Sequence, residues 1–61
     1  KYLVKITTDK SKTFFIGSKA PMAFTKQNAQ KWSDEESAKK AIQIYKQQNP
    51  TYKFEAIETV L

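Results

Sequence analysis

The hydrophobic pattern of this 61-residue chain predicts an α+β fold: a single helix packed on one face of a small, mainly antiparallel sheet, in the order β-β-(β)-α-β. Three observations carry that reading. Apolar residues alternate with period two at both ends of the chain, Trp32-Ser33-Asp34-Glu35-Glu36 marks a sharp helix start, and the apolar spacing after it is helical. A chain of this length buries only about 60% of its unfolded surface, so residues 1–61 make one domain with a thin core.

From Lys1 to Thr8, Tyr2, Val4 and Ile6 fall on one face and Leu3, Lys5 and Thr7 on the other, the signature of a strand. Asp9-Lys10-Ser11-Lys12 reads as a polar turn. Thr13-Phe14-Phe15-Ile16-Gly17 is aromatic and β-branched, so residues 1–17 form a predicted hairpin. The segment between Gly17 and Ser33 is too long to be structureless in so small a domain. Ala29-Gln30-Lys31-Trp32 is assigned there as a short third strand, with Met22-Ala23-Phe24 laid across an open edge of the core. Pro21 argues against a central strand at that point.

Ser33 and Glu36 have the spacing of a capping box, in which the Ser33 hydroxyl accepts from the Glu36 N–H and the Glu36 carboxylate accepts from the Ser33 N–H. The helix then runs from Asp34 to about Gln48, its buried stripe being Ala38, Ala41, Ile42 and Tyr45. Asn49-Pro50 stops it. Trp32, just before the cap, is read as packing on Ala38 and Ala41 and fixing how the chain enters the helix. Alternation resumes from Tyr52 to Val60 as a last strand.

Composition narrows function mainly by exclusion. There is no cysteine and no histidine, so disulfides, a structural zinc and most nucleophilic and acid–base schemes are closed. One glycine leaves no phosphate-cradling loop. Asp34-Glu35-Glu36 is a carboxylate cluster, but acids at a helix N-terminus are where the dipole favours them. No catalytic, cofactor-binding or metal-ligating residues are assigned, and the chain is read as a non-enzyme without cofactor. No apolar run reaches the roughly 20 residues that span a bilayer, and no signal-peptide core precedes the first strand; the expectation is a cytoplasmic protein without a membrane partner.

All eleven basic residues are lysine against six acids, a net charge of +5. Lysine without arginine disfavours sequence-specific reading of DNA, because bidentate recognition of guanine or phosphate is arginine work. An AT-rich genome would produce the same composition without selection for binding. If Tyr2, Val4, Ile6, Phe14, Ile16 and Phe54 face the helix, the opposite face mixes apolar groups with charge, and Leu3, Lys5, Phe15, Lys53 and Ile57 are its candidate interface residues. Three uses fit that face: a contact with a second copy or a protein partner, burial under the loop carrying Met22 and Phe24, or a stacking platform for single-stranded nucleic acid. The last would draw its phosphate contacts from Lys5, Lys10, Lys12, Lys39, Lys40 and Lys53.

The FFIG hairpin, the pattern Ala29-x-x-Trp32-Ser33-x-x-Glu36-x-Ala38 and the closing Tyr-Lys-Phe-Glu strand resemble small phage and prophage proteins of low-GC Gram-positive bacteria. The resemblance covers most of the chain and brings no active site with it. It implies a small accessory protein, a homodimer in the leading reading, that binds and modulates a host protein or nucleic acid in the host cytoplasm. Ser37-Ala38-Lys39-Lys40-Ala41 is similar to the basic helix of a double-stranded RNA-binding domain, but the preceding helix and three-strand order are missing. Lys12-Thr13-Phe14-Phe15-Ile16-Gly17 is similar to the aromatic strand of an RNA-recognition motif, without its Lys/Arg-Gly-aromatic opening or second helix.

Overall fold

The computed structural model describes residues 1–60; Leu61, the last residue of the predicted domain, lies outside the described residues. Strands β1 (Tyr2–Thr7), β2 (Thr13–Ile16) and β3 (Met22–Ala23) are followed by helix α1 (Glu35–Gln48) and strand β4 (Lys53–Glu58). The strand order is β3-β2-β1-β4 and every pairing is antiparallel, the α+β arrangement expected from the sequence.

The β1–β2 hairpin forms where the alternation places it. Thr8 N–H donates to the Lys12 carbonyl at 2.8 Å and Ser11 N–H to the Thr8 carbonyl at 3.0 Å. The Thr8 hydroxyl accepts from the N–H groups of Lys10 and Lys12. Ser11 closes the turn in the left-handed region, at φ 62°, a conformation usually left to glycine or asparagine.

The third strand is not Ala29–Trp32 but Met22–Ala23, which pairs with β2 at the sheet edge, Phe15 opposite Ala23 and Ile16 opposite Met22. Its position beside Pro21 at an edge is the one proline tolerates. Residues 29–32 contribute two isolated bridges instead, Ala29 with Gly17 on β2's side and Trp32 with Tyr2 of β1. Both are antiparallel, and β1 and β2 run in opposite directions, so the chain must reverse between Ala29 and Trp32. A straight third strand is therefore excluded. Lys31 holds the reversal together: its ammonium donates to the carbonyls of Lys26, Gln27 and Ala29, which uses all three of its N–H groups. Gly17 is needed at the crossing because a Cβ there would overlap the Ala20 carbonyl.

The helix boundaries agree with the sequence reading, but the cap does not. Asp34, not Ser33, is the N-cap: its backbone is extended and its carboxylate accepts from the Ser37 N–H at 2.7 Å. Glu36 does not reach back to Ser33; it pairs with Lys40 one turn on, as Glu35 does with Lys39, each at 3.8 Å on the exposed surface. An ionised carboxylate accepts a backbone N–H more strongly than a hydroxyl does, which favours the register shifted by one residue. At the other end the Asn49 N–H and side-chain amide both donate to the Tyr45 carbonyl.

Val4, Ile6, Ile16 and Ala38 form the buried core, with Tyr2, Phe14, Trp32, Ile42, Tyr45, Tyr52, Phe54 and Ala56 packed around it. These include all six side chains assigned to the helix-facing side, and Trp32 packs against the cluster that contains Ala38. The opposite face departs from expectation at one position. Leu3 is completely buried, and Ala23 and Ala29 are also buried outside the helix-side cluster. Leu3 is thus a core residue of a second, smaller apolar layer rather than a candidate interface residue.

Leu3→Ala should accordingly cost about 2–5 kcal/mol in urea unfolding, whereas an interface residue would change stability little in the monomer. The capping geometry is checked by pH. The Asp34 carboxyl is held below its ordinary value, first by the Ser37 backbone N–H and then by the Ser37 side chain. Its contribution is present above the ordinary aspartate pKa and is lost as pH falls through the lowered folded value. Asp34→Ala should lower the melting temperature by several degrees at neutral pH and by much less in strong acid. A larger effect from Ser33→Ala would restore the capping box.

Candidate protein-docking groove

Helix α1 lies over β4 and β1, and on β2 it is Ile16 that is buried with Ala38. Geometry makes this unavoidable: four strands spaced about 4.8 Å apart present a face roughly 19 Å wide, and a helix with its side chains is only about 10–12 Å across. Past Ile16, which is buried, the β3 edge of the helix-side face has no helix over it.

Exposed apolar side chains gather there. Met22 lies directly opposite Ile16 and therefore on the helix side of the sheet, yet it is 47% exposed, and Phe24, just beyond β3, is 73% exposed. Phe14, Met22, Phe24 and Tyr52, with Thr8, Lys12 and Thr13, line a groove of about 370 Å³. The helix supplies one side of the uncovered area. Lys46 sits beside Lys53 and Phe54, so its flank of α1 overhangs β4. Ile44, about 120° around the helix from the buried Ala38, is 60% exposed.

Electrostatics distinguishes this region from the rest of the surface. Lys12 is on the groove lining, and the hairpin loop also carries Lys10 and Asp9; the other five acids lie at the helix start or on β4: Asp34, Glu35, Glu36, Glu55 and Glu58. No buried side-chain polar atom among the described residues lacks a hydrogen-bond partner, and no cluster of acidic residues there could hold a metal ion. The groove is apolar with Lys12 on its lining.

Of the candidate interface residues, Lys5 and Phe15 are adjacent on the face away from α1, half-buried, with Lys5 directly opposite Glu55. Ile57 is half-buried opposite the buried Leu3, and Lys53 stands exposed at the start of β4. That face therefore carries less free apolar surface than its alternation implied. The six candidate nucleic-acid lysines do not share one surface. Lys39 and Lys40 are on the solvent side of α1 beside Glu35 and Glu36; Lys5 is on the other side of the sheet; Lys10 and Lys12 are in the hairpin loop; Lys53 is at the rim by Lys46.

The groove was not read from the sequence because Phe14 was assigned wholly to the core and Met22 and Phe24 to a covering loop. A signal was present. The stripe offered by the helix contains two alanines among four positions, too little bulk to cover every apolar residue on that side of the sheet. No helix among the described residues is long and apolar enough to cross a membrane. In comparisons with known proteins no family model matches this chain, nor does any curated protein or solved structure.

Because Phe24 is mostly in solvent, Phe24→Ser should change the unfolding free energy by no more than about 0.5 kcal/mol. A loss comparable to that of Leu3→Ala would make Phe24 part of the core and remove the groove's most exposed wall.

Proposed function

We propose that the chain is a small, non-catalytic protein-binding module whose groove at Phe14, Met22, Phe24 and Tyr52 receives an amphipathic helix of a partner protein. The observation that carries this reading is the apolar groove at the β3 edge, where Met22 is 47% and Phe24 73% exposed beside Phe14 and Tyr52. A second helix laid beside α1 at the usual 8–10 Å spacing would fit the width that remains. Its apolar side chains would meet the two phenylalanines, and acidic residues on its flanks would meet Lys10 and Lys12. This accords with what the resemblance to small phage and prophage proteins implies, an accessory protein that binds and modulates a host protein. The dispersal of the lysines gives the nucleic-acid alternative no comparable support.

Selection of a randomised-peptide display library against the immobilised protein tests it. Enriched peptides should carry apolar residues at i, i+3, i+4 and i+7 with acidic flanks, and Phe24→Glu should weaken their binding at least about tenfold while the circular dichroism of the protein is unchanged. Enriched peptides whose binding is indifferent to Phe24→Glu, or that lack a helical apolar pattern, would overturn the assignment.

A further inference from the structure

The second unfilled feature of the fold is the outer edge of β4. All six of its residues pair with β1 in one unbroken register, from Tyr2 opposite Glu58 to Thr7 opposite Lys53, with no bulge and no proline. The opposite edge, β3, has two residues and follows Pro21. Only β4 offers a regular edge.

The direction of its backbone groups follows from the ladder. Thr59 N–H donates to the Lys1 carbonyl at 2.7 Å, while Tyr2 exchanges both its bonds with Trp32, on the other side of β1. Odd-numbered residues of β1 thus bond toward β4 and even-numbered ones away from it. By the same alternation Lys53, Glu55 and Ile57 bond inward, and Phe54, Ala56 and Glu58 present their N–H and C=O groups outward.

We infer that β4 pairs with β4 of a second copy, antiparallel about a two-fold axis at Ala56, joining two sheets into one of eight strands. This register is the one that pairs all three outward residues within the strand: Ala56 with its counterpart and Phe54 with Glu58 of the other copy. Between them Glu55 faces Ile57, and Lys53 faces Thr59, so no like charges meet; a two-fold at Glu55 would set that carboxylate against itself. The helices reinforce the choice. The Lys46 flank of α1 overhangs β4 next to Lys53, which makes one end of the strand basic. At the other end of the strand, on the helix side, stands Glu58, which with burial, Glu35 and Asp34 holds the Tyr2 hydroxyl above its ordinary pKa. The two-fold exchanges these ends. Lys46 of each copy, beside Phe54 on the helix side, then lies against Glu58 of its mate, and the groove of each copy stays free at the β2–β3 edge of its sheet.

Sedimentation equilibrium over a range of protein concentrations is the test. The wild type should be a dimer, and Ala56→Pro, which removes an outward N–H and leaves the β1 ladder intact, should raise the dissociation constant about tenfold or more. A charge exchange covers the case in which that variant folds poorly. Lys46→Glu and Glu58→Lys should each be monomeric at low salt and form a heterodimer when mixed. Phe24→Glu should leave the mass unchanged, which separates this interface from the groove. A monomeric wild type, a dimer broken by Phe24→Glu alone, or charge variants that fail to complement each other would overturn the β4 seam.

Discussion

A sheet of four strands and one helix cannot be matched in width, and that mismatch governs how this chain distributes its apolar residues. The helix settles over the two strands that carry most of the burial, β1 and β4, and the tight packing of Ala38 against Val4, Ile6 and Ile16 depends on alanine's lack of bulk at the point of closest approach. A larger residue there would lift the helix off the sheet. The two strands left over are treated differently on their two sides. Away from the helix, Leu3, Ala23 and Ala29 are buried; on the helix side Ile16 is buried with Ala38, but beyond it Phe24 faces water.

The connection between β3 and the helix solves a second problem, how to leave an edge strand and arrive at the start of a helix above β1 and β4. It does so by opening β1 from β2 beyond the Lys5–Phe15 pair and inserting its own backbone into the gap, where Gln30 N–H donates to the Ile16 carbonyl and Trp32 exchanges bonds with Tyr2. Those carbonyl and amide groups would otherwise be lost to the ladder in a region where burial leaves little room for water. Trp32 is consequently fixed at both levels, by its backbone to β1 and by its ring to the core beneath the helix entrance.

The elements with a repeating pattern were legible in the sequence: both long strands, the hairpin, the helix and the side of the sheet it covers, down to Phe14, Ile16 and Phe54. What escaped were features set by contacts distant in sequence. Ala29–Trp32 has strand-like neighbours, but whether it extends or folds back depends on Lys31 finding three carbonyls, which no local pattern encodes. Ser33 and Asp34 are both competent caps, and one residue of phase decided between them. Leu3 occupies a position that alternation marks as outward, and only the path of a later segment makes it interior. The groove follows the same logic, since periodicity tells which face of a strand is apolar but not how far a neighbouring helix extends across it.

The spatial order of the strands also bears on how the chain acquires its fold. The strand at the N-terminal end of the sequence occupies an inner position and takes as one of its partners the strand formed last, with the Lys1 carbonyl bonded to the Thr59 N–H. During synthesis the hairpin can form early, but half of the hydrogen bonds of β1 await residues 53–58, and the helix has no complete surface to rest on until they arrive. Such long-range pairing slows folding relative to a helical domain of equal size. On the ribosome these residues stay incompletely folded until the final strand has cleared the exit tunnel, a period in which the aromatic face of the hairpin is open to chaperones and to other nascent chains.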